Sequence, residues 1–245
     1  MLSSAQSKYI RSLTQQKYRK QYNVFLAEGD KIAKEWLISA AKIQMIIATQ
    51  DWADLNSLHI KAHPEAELCI ATPQELEKVS ALQTPHKAVL VANMPVESSL
   101  PGSGWCIAVA QLQDPGNMGS IIRIADWFGM SHVIASPDSV DFYNPKVVQA
   151  AMGGHLRVQL VSAELKEFIT GTSLPVYAAT LGGSSLYDVS GGKEGIILIG
   201  NESKGLPEEL VALATYRVTI PRKGGAESLN AAVSAGIIAA TLAGR

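Results

Sequence analysis

Two short apolar runs near the end of the chain, Ile196–Ile199 and Arg217–Ile220, each break into a loop rich in glycine and polar residues. The first loop is Gly200-Asn201-Glu202-Ser203-Lys204-Gly205. The second, Pro221-Arg222-Lys223-Gly224-Gly225-Ala226-Glu227, leads through Ser228-Leu229-Asn230 into an alanine-rich helix. Open α/β sheets place ligands where strand ends release such loops. Glycine lets main chain approach a ligand closely, so this stretch predicts a small-molecule site built largely from backbone groups.

The rest of the sequence supplies the sheet. Trp105–Leu112 is a continuous apolar run of the buried-strand type. Strand patterns follow at Ser131–Ala135, Arg157–Val161 and Val176–Thr180. Helical patterns lie between them: Ser120–Phe128 closed by Gly129, Asn144–Ala151 ended by Gly153-Gly154, and Ala163–Thr170. Gln113–Gly119 reads as a turn-rich loop. This alternation predicts an α/β fold with a mostly parallel sheet covered on both faces.

The first ninety residues form a smaller α/β pattern. A surface helix is expected over Ser4–Arg19 and a strand over Asn23–Ala27, then a helix capped by Asp30 and running to Ala40. Strands are expected at Ile43–Ala48, Glu67–Ala71 and Lys87–Asn93, with a capping box at Thr72-Pro73-Gln74-Glu75. Met94–Gly104, rich in Pro, Ser and Gly, is the best linker. It divides the chain into 1–93, 94–104 and 105–245.

Composition narrows function mainly by exclusion. Cys69 and Cys106 are too few and too far apart for a metal pattern or a disulfide framework, so a reducing compartment is expected. The N-terminus has no apolar signal-like core, and Ala231–Ala243 is too short to span a bilayer, so the reading is cytoplasmic with no membrane partner. Residues 1–34 carry seven basic groups (Lys8, Arg11, Lys17, Arg19, Lys20, Lys31 and Lys34) against Glu28 and Asp30, a pattern compatible with nucleic acid and equally with a solvated helix face. No dinucleotide or P-loop glycine pattern is present. His59 and His63 have helical spacing but no third ligand, so no metal is expected. Ser228 has no histidine near it in sequence to activate it. Arg123 falls within an apolar helix pattern beside Ile121, Ile122 and Ile124, which is costly unless its charge is paired, bound to a ligand, or reaches solvent.

Three segments, NMGSIIRIADWFGM, IILIGNESKGL and IPRKGGAESLNAAVSAG, resemble in order and spacing the three motifs of the SpoU-type (TrmH-like) RNA 2′-O-methyltransferases. KYRKQYNVFLAEGDKIAKEWL resembles the ribosomal-protein-like RNA substrate-binding domain of the same family. The resemblance implies a C-terminal trefoil knot, a homodimer, and S-adenosylmethionine as cofactor. It implies that the cofactor lies against Thr180, Gly200, Asn201, Gly205, Ile220, Ser228, Leu229 and Asn230. It also implies that Asn117 and Arg123 reach the site from the partner subunit, and that Glu202, Ser228 and Asn230 complete the catalytic set. Structured RNA is the implied substrate, ribosomal favoured over transfer RNA, and a non-catalytic RNA-binding assembly factor is the rival. Methylation of a base is a third possibility. Two readings of Arg123 stand: a base in an unusual site, or a cationic clamp on an alkoxide and phosphate. The chain departs from the family pattern at Ala232, where a hydroxyl is usual, and at Gln149, where arginine is common.

Overall fold

The computed structural model describes residues 2–82, 86–96 and 98–244. It divides into two compact units, one of residues 1–96 with 141–156 and one of 97–140 with 157–245.

The first unit runs α1 (Ser4–Ser12), α2 (Gln16–Tyr22), β1 (Val24–Glu28), α3 (Asp30–Ile38), β2 (Ile43–Ala48), α4 (Gln50–Leu55), α5 (Ser57–Lys61), β3 (Glu67–Ile70), α6 (Pro73–Val79) and β4 (Ala88–Asn93). Its sheet has the order β1-β4-β2-β3. β4 is antiparallel to both neighbours, and β2 and β3 are parallel. Alternate strand residues feed two cores. Phe25, Ile46 and Leu90 pack with Trp36 and Trp52 on one face, while Val24, Leu26 and Val89 pack with Ile10, Leu13 and Leu76 on the other.

The remaining elements are β5 (Trp105–Val109), α7 (Pro115–Trp127), β6 (His132–Ala135), α8 (Pro145–Ala151), β7 (Gln159–Ser162), α9 (Leu165–Gly171), β8 (Val176–Ser185), β9 (Gly195–Ile199), α10 (Glu208–Leu213), β10 (Tyr216–Thr219) and α11 (Ala231–Leu242). Six of these strands form one wholly parallel sheet, β10-β8-β9-β5-β6-β7. β9 is buried along its length and β5 almost so, as continuous apolar runs require. Cys106, Ala108, Ile196 and Leu198 pack against α9 and α10, while α11 packs on β9 and α7.

Several local expectations need correction. The first helix splits into α1 and α2. Gly29, not Asp30, is the cap of α3; the Asp30 carboxylate instead accepts from the Lys87 N–H at 2.9 Å. α7 begins five residues early because Asp114 caps it, accepting from the Asn117 N–H at 2.7 Å, with Pro115 in the first turn. The supposed turn over 113–119 is therefore mostly helix.

The segment 141–156, which the strand–helix alternation assigns to the second half, belongs to the first unit. Val148 joins the Phe25–Trp36 core and Tyr143 lies 4.8 Å from the Phe25 ring. His155 is buried beside them. Burial pushes its pKa down to about 4, and its Nε2 donates to the Phe142 carbonyl at 2.8 Å. The same segment removes one cation from the basic N-terminal patch: Arg19, 1% exposed, pairs with Asp141 and donates to the carbonyls of Leu13 and Thr14 at 2.8 and 2.9 Å. Both cysteines are buried and free, and burial pushes the Cys106 thiol up to about 12.

Truncating one partner of a buried ion pair leaves the other charge stranded, at a cost of about 3–5 kcal/mol. Arg19→Ala should therefore lower the urea-unfolding free energy by about that much. The double replacement Arg19→Met with Asp141→Leu should recover most of it. A single variant as stable as the parent would show that the pair contributes nothing.

Candidate functional site

The strands β5, β9 and β10 release their C-terminal ends on one side of the parallel sheet. From β5 the chain proceeds to β6, and from β9 it proceeds the other way to β10, so β5 and β9 flank the point where the winding reverses.

After β9 the loop folds straight back: Asn201 and Gly205 exchange backbone hydrogen bonds at 3.0 and 2.9 Å. A Cβ on Gly200 would stand 2.3 Å from the Gly205 carbonyl carbon, so only glycine fits this turn. The Asn201 side chain organises the rest. Its Oδ1 accepts from the N–H groups of Ser203 and Lys204, and its Nδ2 donates to the Gln111 carbonyl at 2.7 Å. After β10, residues 221–230 are exposed until Asn230 caps α11, its Oδ1 accepting from the Ala232 and Val233 N–H groups.

These loops enclose a cavity of about 750 Å³. Thr180, Gly200, Asn201, Gly205, Ile220, Ser228 and Leu229 all line it, as does Glu202. The sequence-derived cofactor set thus converges, apart from Asn230, which stands beside the cavity. Thr180 Oγ1 is buried without a hydrogen-bond partner among the described residues, although the Thr180 carbonyl accepts from Thr219 Oγ1 at 2.9 Å. A buried hydroxyl left unsatisfied at a cavity wall is suited to a polar ligand atom. Ile199 on β9, Val218 on β10 and Ile238 on α11 form an apolar wall, which strand and helix periodicity alone does not distinguish from ordinary core.

Behind the cavity three loops are tied together. Asn117 Nδ2 donates to Glu202 Oε1 at 3.0 Å, and Asn230 Nδ2 donates to Asn117 Oδ1 at 2.7 Å. The Asp114 N–H also donates to Glu202 Oε1 at 3.3 Å. Burial opposes charge on Glu202, but these hydrogen bonds, Asn117 first among them, outweigh it and hold the carboxyl below the usual range. Glu202 is thus a fixed anion and a poor proton acceptor at neutral pH. It orients Asn117, which in turn orients Asn230. Within its own chain Asn117 is buried and bonded to Glu202 and Asn230. Asp114, the residue that starts α7 and so places Asn117, is the contributor that sequence reasoning missed. The Asp-Pro pair before an apolar helix was its signal.

Arg123 behaves differently. It is exposed, does not line the cavity, and has no ion-pair or hydrogen-bond partner among the described residues. Four residues further along α7 stands Trp127, 82% exposed. Ser228 lies on the exposed loop with no histidine bonded to it. His63 is used structurally, its Nε2 bonded to the Leu37 carbonyl at 2.9 Å. Among the described residues no group of three or more His, Cys, Asp or Glu side chains is placed to hold a metal, and no helix is long and apolar enough to cross a membrane.

Residues 104–240 match the model of the SpoU rRNA Methylase family, and residues 5–90 match that of the MRM3-like substrate binding domain. Among curated proteins, a 23S rRNA (guanosine(2553)-2′-O)-methyltransferase of Bacillus subtilis is 26% identical over 238 residues, covering 96% of this chain and 94% of its own. Among solved structures, an rRNA methyltransferase from Sinorhizobium meliloti with AdoMet bound aligns with a TM-score of 0.86 at 28% identity, covering 99% of this chain and 95% of its own. A protein of the TrmH family of RNA methyltransferases from Porphyromonas gingivalis aligns with a TM-score of 0.85 at 34% identity, covering 99% and 98%.

The three-loop tie can be probed directly. Asn117→Asp would set a second carboxylate against Glu202 in a half-buried position. It should destabilise the fold by about 1–3 kcal/mol at pH 7.5, and by less at pH 4.5, where one of the two carboxyls takes up a proton. Urea unfolding at the two pH values reads this, and an equal loss at both would exclude a charged Glu202 at that contact.

Proposed function

Because the chain belongs to the SpoU rRNA methylase family, we propose that it transfers a methyl group from S-adenosylmethionine to a ribose 2′-hydroxyl of ribosomal RNA. The observation that carries this reading is the 750 Å³ cavity within the family-matching segment, with its glycine turn, its apolar wall and the unpartnered Thr180 hydroxyl. Ribosomal RNA is favoured over transfer RNA because residues 5–90 match a substrate-binding domain and because the relatives named above that carry a stated substrate act on rRNA. In this division the first unit, residues 1–96 with 141–156, grips RNA and the second carries the chemistry, in the cytoplasm.

Thr180, Gly200, Asn201, Gly205, Ile220, Ser228 and Leu229 would hold the cofactor, which supplies a methyl group activated on a sulfonium. The apolar wall would exclude water from it, and the Thr180 hydroxyl would meet one of its polar atoms. Asn230 and Ser228 can bond to ribose or cofactor, and Glu202 keeps Asn230 in place through Asn117. Positioning is the main contribution asked of these residues.

As the ribose oxygen takes the methyl group its proton passes to water, and the charge that develops on the oxygen needs stabilisation. Arg123 is the proposed group, acting from a second copy of the chain. Its exposure and lack of a partner among the described residues support this, as does the exposed apolar surface of Trp127 on α7 and Val233 on α11, two helices that pack together. A guanidinium stays protonated, so the clamp on alkoxide and phosphate asks less than the base. The reading includes a threaded C-terminus. Its support is the match of residues 104–240 to the family whose motifs imply it.

Calorimetric titration of S-adenosylmethionine should give saturable heat in the parent protein and in Arg123→Ala. Transfer to RNA by Arg123→Ala should fall by a factor on the order of 100 or more, the scale of a lost charge-stabilising donor. Absence of any cofactor heat would favour the non-catalytic RNA-binding reading. If Arg123 acts across subunits, mixing Arg123→Ala with Gly200→Trp, each inactive alone, should restore part of the activity. A mixture as dead as its components would put Arg123 back in its own chain's site or outside the mechanism.

A further inference from the structure

From α1 and α2 three tyrosine rings converge. Tyr9 and Tyr22 meet edge to face at 5.2 Å, and Tyr18 and Tyr22 lie near-parallel at 6.4 Å with an interplanar angle of 12°. Tyr9 and Tyr18 rest against the buried core of Ile10, Leu13, Val24 and Leu26. Tyr22 takes no part in that core and is 42% exposed. The hydroxyls of Tyr18 and Tyr22 have no hydrogen-bond partner among the described residues, and Tyr9 reaches only Gln44, at 3.4 Å. A ring cluster needed only to finish a core would not leave one of its rings uncovered.

The charge that the two helices themselves carry has one sign, and the carboxylate of Glu67 on β3 meets α1 at Gln6, 2.7 Å from its Nε2. Residues 1–27 contain no carboxylate. Lys8, Arg11, Lys17 and Lys20 are exposed on the two helices, none in an ion pair among the described residues. Lys17 Nζ sits 4.7 Å from the Tyr18 ring centroid, so ring face and cation already share one spot. The support beneath is rigid. Arg19, between Tyr18 and Lys20, points inward and is fixed by Asp141 and by the carbonyls of Leu13 and Thr14. Tyr18 and Tyr22, four residues apart, therefore share one face of an anchored helix turn.

We infer that the Tyr9–Tyr18–Tyr22 cluster is a stacking platform for an unpaired nucleotide of the RNA substrate, with Lys17 and Lys20 holding the flanking phosphates. Exposed π faces beside free cations match what a splayed-out base and its backbone offer together. A regular duplex hides its base faces and could engage only the cations. The inference rests on the RNA-modifying reading above for the identity of the polymer, while the platform itself lies wholly in the first unit.

The test uses the full-length protein and two fluorescein-labelled probes, a short oligouridine and a blunt RNA duplex of the same length, followed by anisotropy. Tyr22→Ala should weaken oligouridine binding on the order of tenfold, the usual worth of one stacked base, and leave the duplex nearly unchanged. Tyr22→Phe should bind as the parent does. Lys17→Ala should weaken both probes and flatten their salt dependence. Should Tyr22→Ala fail to fold, judged by its melting curve, Tyr22→Leu carries the same comparison. A parent protein that ignores oligouridine, a Tyr22 variant that binds it normally, or an equal loss on both probes would each overturn the platform. The cofactor titration is independent of this. Cofactor heat without single-strand discrimination ends the platform alone, and discrimination without cofactor heat ends the methyltransferase reading alone.

Discussion

The site depends on one buried amide. Asn117 presents its nitrogen to Glu202 and its oxygen to Asn230, so a single side chain fixes three loops that come from distant parts of the sequence. Each end of that amide has a partner of the right polarity, and a flipped amide would set oxygen against carboxylate. The loop after β9, the start of α7 and the start of α11 are thereby placed as a unit. The cavity beside them gains its shape from the glycine turn at Gly200 and Gly205 and from the cap on α11, each of which is a local device. The amide makes these local devices one site.

Much of this was legible in the sequence because it rests on backbone geometry. Apolar runs broken by glycine loops gave the strands β9 and β10 and the cavity between their ends, and the capping box at Thr72–Glu75 is present as read. Misreadings arose where a side chain serves something distant. Asp30 looks like a cap but bonds to the Lys87 N–H. Arg19 looks like a surface cation but is spent on Asp141, more than a hundred residues away. Gln113–Gly119 reads as a turn-rich loop, although its Asp114-Pro115 pair is a strong helix start. α4, α5 and α10, five or six residues each, lack enough turns for a periodic signal.

Arg123 illustrates a different kind of gap. Its place in an apolar helix pattern would be costly if it were buried, but the side chain is exposed, so solvent meets the charge and the helix bears no penalty for it. Periodicity identifies a helix face without saying what covers it. Arg123 and Trp127, four residues apart, share one exposed face of α7.

The detour of residues 141–156 bears on how the protein can be taken apart. The chain leaves the second unit after Val140 and returns at Arg157, so the boundary is crossed there as well as near residue 97. A protease nicking the Pro- and Ser-rich stretch before Trp105 would not free two intact pieces. A fragment cut at that stretch would carry α8 and Tyr143 away from Phe25 and Trp36, leaving greasy surface on one product and an unroofed sheet on the other. Dissection into halves should therefore yield insoluble material unless the excursion is excised and returned to the half whose core it completes.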